Sequence, residues 1–150
     1  MCIRDSGSTV LYKRWVLEPS RETNVGEYEA LFKASGFDGC IGSVDATHVP
    51  IVTCPHWARN IHKGFKLSMP ARSYNVTVDH SRRVLGSTCG HPSTWNDKTL
   101  ILFDEFISNV HNGKIPDQFQ FKLFEKDKDG NVIQVLYKGV WFICDNGYLS

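Results

Sequence analysis

The sequence predicts an α/β fold: a mixed sheet flanked by helices and incomplete at its C-terminal side. Three observations predict it. Helical and alternating hydrophobic periods follow one another in the order helix, strand, hairpin, helix, hairpin, strand. Two stretches read as hairpins, one turning at His80-Ser81-Arg82 and one at Asp127-Lys128-Asp129-Gly130-Asn131. Late in the chain comes a short, wholly apolar run, Val140-Trp141-Phe142-Ile143-Cys144. It has the composition of a strand buried on both faces. Such a strand needs a covering element after it, so the chain reads as a piece whose C-terminal portion is missing.

Residues 1–6 show no periodicity and read as a cloning or assembly remnant outside the fold. Residues 7–35 form a helical lead-in. Leu11, Trp15 and Val16 suggest a short helix that stops before Glu18-Pro19. Tyr28, Leu31 and Phe32 then give a second helix over Glu27 to Ser35, which Gly36 can close in a left-handed conformation. Residues 36–150 form the main domain. Cys40 to Val52 reads as a strand from its β-branched residues, and Pro55 to Pro70 as a loop. Tyr74, Val76 and Val78 alternate on one strand face, with Arg83 to Cys89 as hairpin partner. Asn96 caps a helix whose first turn holds Asp97 and whose apolar side is Leu100, Phe103, Ile107 and Val110, closed by Gly113. Residues 119–124 and 132–138 flank the second hairpin turn.

Composition excludes several classes. With 150 residues, 41% hydrophobic and 22% charged, the chain is no disordered tail. No apolar run approaches the roughly 20 residues of a transmembrane helix, so no membrane partner is expected. Arg4, Asp5, Lys13 and Arg14 interrupt any signal-peptide core. Five scattered cysteines without a C-x-x-C pair fit a reducing compartment better than a disulfide framework. The sequon Asn75-Val76-Thr77 falls in a strand and is not expected to be glycosylated.

Two aspartates share a strand context: Asp45 sits within the strand-forming segment Gly42 to His48, and Asp145 at the end of the apolar run Val140 to Cys144. A carboxylate there is costly to bury unless paired or bound to a cation. On neighbouring strands the two would converge as oxygen ligands for Mg²⁺. From spacing alone, ordinary strand-end acids bonded to turn amides are the favoured reading, since two aspartates a hundred residues apart are a weak signal. His48, three residues after Asp45, falls on the opposite strand face; it either hydrogen-bonds near the site or caps the strand end. Asp97 reads first as a helix N-terminal acid. Between Thr53 and Arg83 lie six basic residues against one acid, in a chain of net charge +1. Arg59, Asn60, Lys63, Lys66 and Arg72, with Trp57 and Phe65 among them, suit phosphate contact and base stacking, or a solvated loop. Cys54, His56, His62, Cys89 and His91 lack zinc-finger spacing. Cys40 and Cys144 read as small buried hydrophobes. The Asp127 turn lacks the remaining EF-hand positions.

Five segments in order resemble Harbinger-type DDE transposases. Gly39 to Val49, with Asp45-Ala46-Thr47-His48, resembles the family's first catalytic segment, G-x-I-D-G-T-H-I. Asn60-Ile61-His62-Lys63-Gly64 resembles its N-R-K-G segment, and Ser73 to Asp79 its S-x-N-x-Q strand. Gly90 to Asp97 resembles its P-G-S-x-H-D-S turn, and Ile143 to Tyr148 its second catalytic segment, L-G-D-S-G-Y. Together they cover roughly residues 36–149. Ala46 stands where the family has Gly, Asn96 where it has His, and Lys98 where it has Ser. The Lys126 to Gly139 hairpin looks like an insertion.

The resemblance implies an RNase H-like fold and a DNA endonuclease using two Mg²⁺ or Mn²⁺ ions. It would cut transposon ends and join them by strand transfer. Asp45 and Asp145 would be the catalytic metal ligands, with His48, Asp97 and Asn146 around them. The family's third acid has no counterpart before Ser150, so this chain alone is expected to be inactive. The family implies DNA and a Myb-like protein as partners, a homo-oligomer, and a nuclear location in a eukaryote, otherwise an intracellular one. A non-catalytic descendant that binds DNA or protein, a hydrolytic nuclease without strand transfer, and an inactive relic are the competing expectations.

Overall fold

A computed structural model describes residue 16, residues 25–114 and residues 119–148. The expected helix near Leu11 to Val16, apart from Val16 itself, and the segment 1–6 lie outside the described residues. The elements, in chain order, are helix α1 (Val25–Ala34), strand β1 (Cys40–Pro50), a 3₁₀ turn (His56–Ala58) running into helix α2 (Arg59–His62), strands β2 (Ala71–Val78), β3 (Val84–Ser87) and β4 (His91–Pro92), helices α3 (Asp97–Leu102) and α4 (Glu105–His111), strands β5 (Gln120–Lys126), β6 (Val132–Lys138) and β7 (Trp141–Ile143), and a 3₁₀ turn (Asn146–Tyr148). The mixed α/β architecture is as the sequence predicts.

The main sheet runs β3-β2-β1-β7, with β4 pairing the same edge of β2 as β3. β1 and β2 are antiparallel over eight pairs, from Ser43↔Val78 to Pro50↔Ala71. β7 runs parallel to β1, with Ser43 opposite Ile143. The core gathers Val25 and Tyr28 of α1, Ile41 of β1, Leu85 of β3 and Phe106 of α4. Phe142 of β7 meets Phe106 edge to face at 5.6 Å. α1 therefore packs into the same core as the sheet. Its buried residues are Val25, Tyr28 and Phe32, one turn or nearly two apart, while Leu31 is exposed. Gly36 and Gly113 take positive φ after their helices, as expected.

Three expectations change, and the buried face of β2 emerges. The apolar run at β7 is not buried on both faces. Trp141, Phe142 and Ile143 are each half-buried, because β7 pairs with β1 alone among the described residues. Cys144, just beyond it, is exposed rather than a buried hydrophobe, whereas Cys40 is buried as expected. The helix expected from Asn96 to Gly113 is two helices, because Asp104 breaks it and caps the second by accepting from the Ile107 N–H at 3.1 Å. On β2, the apolar alternation points to the less buried side. Ser73, Asn75 and Thr77 are fully buried, while Tyr74, Val76 and Val78 are half-buried. Two of these buried polar side chains have dedicated partners, described below, which is what makes their burial tolerable.

The β5–β6 hairpin forms its own two-stranded sheet. It is fastened to the body near Asp38. The Lys122 N–H donates to Asp38 Oδ2 at 3.3 Å, and the Trp141 indole donates to the Asp38 carbonyl at 2.9 Å. Lys33, 2.8 Å from Asp38, holds that carboxyl below its ordinary range. Gly39 has φ +81, and a Cβ there would stand 2.2 Å from the Phe121 ring. Only glycine both takes that backbone and lets the hairpin approach.

Candidate functional site

The register brings the two expected aspartates to the same level, just past the paired stretch of two neighbouring parallel strands. Asp45 follows Ser43 by two residues and Asp145 follows Ile143 by two, and Ser43 and Ile143 are opposite each other. Both aspartates are exposed. Asp45 Oδ1 accepts from the Ala46 N–H at 2.7 Å, and Asp145 Oδ1 from the Gly147 N–H at 2.9 Å. Asp45 is therefore also the bonded strand acid of the alternative reading.

Asp97, at the start of α3, stands beside Asp145. A Cβ on Gly147 would lie 2.7 Å from Asp97 Oδ2 and 2.9 Å from Asp145 Oδ1. Glycine at 147 thus lets two carboxylates face each other across the chain. Asp97 is largely shielded, with 13% of its side chain accessible, and Lys66 Nζ reaches its carboxylate at 3.4 Å. Asn96 caps α3 as expected, its side chain accepting from the Thr99 N–H at 2.8 Å.

Sequence reading missed the group that holds this end of the sheet together. The Tyr148 hydroxyl donates to Asn75 Oδ1 at 2.7 Å, and Asn75 Nδ2 donates to Asp104 Oδ2 at 2.5 Å. The chain links the turn after β7, the centre of β2 and the cap of α4. Burial pushes the Tyr148 phenol well above its ordinary value, and the negative charges of Asp97, Asp45 and Asp145 push it further. Tyr148 therefore stays protonated, its hydroxyl held by Asn75 within the field of the three carboxylates. The sequence signals were polar Ser73, Asn75 and Thr77 at alternate positions of a strand, and the places of Asn75 and Tyr148 in two of the resembling segments.

His48 lies on the other sheet face from Asp45, as its spacing predicts. It does not cap the strand, since β1 continues to Pro50. Its Nδ1 is 2.8 Å from Ser73 Oγ. Burial, and then the Lys66 charge, lower its pKa, while Asp97 and Asp45 oppose the shift. Asn146 is exposed at the first position of the 3₁₀ turn.

The basic residues lie mainly on the 51–72 segment, which is not all loop, since Arg59 and Asn60 open α2. Arg59, Asn60, Lys63, Lys66 and Arg72 are all exposed. Arg59 and Lys63 line a cavity of about 310 Å³ with Cys54, Ser68 and Met69, away from the aspartates. Ser93 and Thr94 clip the segment down. The Gly64 N–H donates to Ser93 Oγ at 2.9 Å, the Ser93 hydroxyl donates to the His62 carbonyl, and Thr94 Oγ1 donates to the Ile61 carbonyl at 3.0 Å. Trp57 and Phe65 project fully or nearly so into solvent. Arg83, by contrast, is committed to Asp79 at 3.1 Å.

The donor chemistry fits a hard cation. Asp45 and Asp145 offer oxygen only, and each keeps one carboxylate oxygen clear of its local amide. Two carboxylates suit an Mg²⁺ ion that keeps several waters. Among the described residues no three His, Cys, Asp or Glu side chains stand together as a ready metal cage. Compared with family models, with curated proteins and with solved structures, the chain matches none of them. Among the described residues no helix is long and apolar enough to cross a membrane.

Proposed function

We propose that this chain carries two acidic ligands of a divalent-metal-dependent, DDE-type DNA endonuclease of transposase descent. The observation that carries the reading is the placement of Asp45 and Asp145 at the same end of the parallel pair β1 and β7. The strand order β3-β2-β1-β7, with β2 antiparallel and β7 parallel to β1, also supports an RNase H-like sheet. The five resembling segments supply the family.

Asp45 and Asp145 would hold Mg²⁺ or Mn²⁺. The bound ion supplies charge neutralisation at the scissile phosphate and an acidified water. The chain's own residues do the rest. Tyr148, protonated and tied to Asn75, fixes the turn that carries Asp145. Lys66 offsets the charge of Asp97, so the carboxylates can approach without full repulsion. Arg59, Asn60, Lys63 and Arg72 contact the DNA backbone and hold the strand in register. A Myb-like partner, self-association and a nuclear location in a eukaryotic host belong to the same reading.

Titration calorimetry with MnCl₂ tests it. The unaltered chain binds Mn²⁺, and D45N and D145N each weaken binding at least about tenfold, the equivalent of ~1.4 kcal/mol. Binding that is indifferent to both substitutions overturns the reading.

A further inference from the structure

We propose that the outward face of the β5–β6 ribbon docks in the major groove of duplex DNA. The proposal rests on the reading above only for the class of partner; none of its residues belongs to the aspartate site. The ladder pairs Gln120 with Lys138, Lys122 with Leu136, Phe124 with Gln134 and Lys126 with Val132. Paired residues share a face, and successive residues alternate. These eight side chains therefore form one face, and every one of them is exposed. The opposite face is the anchored one. There Phe121 is buried, Leu123, Val135 and Tyr137 are half-buried, and Phe121 stacks on Tyr137 at 5.5 Å.

Charge is sorted between the two faces. The outward face holds three lysines and no carboxylate. Glu125 belongs to the anchored face, where the Tyr137 hydroxyl donates to it. Asp127 is folded into the turn, accepting from the Asp129 and Asn131 N–H groups at 2.9 and 2.8 Å. Lys122 and Lys138 are diagonal neighbours, about 7–8 Å apart at the backbone. Lys126 lies four residues beyond Lys122, about 13 Å along the strand. A ribbon of this width enters the roughly 12 Å major groove, where phosphates flank it on both sides. Beside and between the lysines lie groups that read base edges. Gln120 and Gln134 offer amides that pair with adenine, and Phe124, 73% exposed, offers an apolar contact for a thymine methyl. A second copy of the chain is the weaker occupant, because face-to-face packing sets lysines against lysines.

Fluorescence anisotropy on a labelled duplex, from about 50 to about 200 mM NaCl, tests the proposal. The variant is K122Q/K126Q/K138Q, checked for a native circular-dichroism spectrum. The expected result is that the triple variant binds at least about tenfold more weakly at the lowest salt. Its slope of log K against log salt falls by about 2.7, at ~0.9 per lost phosphate contact. If the triple variant keeps both affinity and slope, the ribbon proposal is overturned while DNA binding elsewhere survives. If the unaltered chain binds no duplex, or binds polyglutamate as tightly, duplex DNA is overturned as the occupant.

Discussion

Asp104→Ala should destabilise the protein far more than the loss of one helix cap. Asp104 is 1% exposed. One of its oxygens caps α4 at the Ile107 N–H, and the other receives Asn75 Nδ2 in the buried chain that ends at Tyr148. Losing the cap costs about 1 kcal/mol. Leaving the Asn75 amide buried without its acceptor costs about 1–3 kcal/mol more. The total, about 2–4 kcal/mol, lowers the melting temperature by roughly 6–12 °C at about 3 kcal/mol for a chain of this size. Asn96→Ala is the control. It removes the cap of α3, which is exposed and has no buried partner behind it. It should cost only about 1 kcal/mol. Thermal unfolding followed by circular dichroism measures both. If D104A melts no lower than N96A, the buried chain through Asn75 does not stabilise this end of the sheet, and the argument is wrong.

The remaining predictions concern the hairpin anchor and two titrating groups. Gly39→Ala should destabilise the chain and raise amide exchange across residues 120–138, because the new Cβ meets both a positive φ and the Phe121 ring; exchange left unchanged there would refute the anchor. His48 has a folded pKa below its ordinary 6.5, so the unfolded state takes up its proton first. Its contribution is complete above about pH 6.5 and is lost as pH falls from there through the folded pKa, and H48Q should flatten that part of the stability–pH curve. Lys66→Gln should raise the His48 pKa, read from its imidazole proton shifts, and Asp97→Asn should lower it; the opposite signs would remove Lys66 and Asp97 from its surroundings. Tyr148 titrates above its ordinary value, so stability should fall as pH rises beyond about 10, and Y148F should remove part of that alkaline loss.

How much of this was legible in the sequence depended on whether local pattern or tertiary pairing decided the outcome. Helix α1, strand β1 and both hairpins follow from periodicity and turn chemistry, and each forms within a residue or two to four of its expected bounds. The cap at Asn96 was readable because capping is a local bond. Asp104 was not, since the apolar spacing of Leu100, Phe103, Ile107 and Val110 continues across the break. What interrupts the helix is a carboxylate drawn to Asn75, 29 residues away. Which face of β2 is the buried one was not readable for the same reason. Burial of Ser73 and Asn75 depends on His48, Asp104 and Tyr148, none of which is near in sequence. Asp45 and Asp145 could be picked out as strand-end acids, but their shared level rests on the parallel pairing of β1 with β7. The proximity of Asp97 to Asp145 rests on a turn around Gly147 that no spacing rule announces.

The most direct test of the central claim is paramagnetic broadening of backbone amide resonances by substoichiometric Mn²⁺. The account predicts that amides at Asp45 and Ala46 and at Asp145 to Gly147 broaden first and together. It predicts that D45N protects the Asp145 amides as well as its own, because one ion bridges both strands. Broadening confined to other acids, such as Asp127 and Asp129 at the hairpin tip, would contradict it. So would broadening at Asp145 that D45N leaves unchanged.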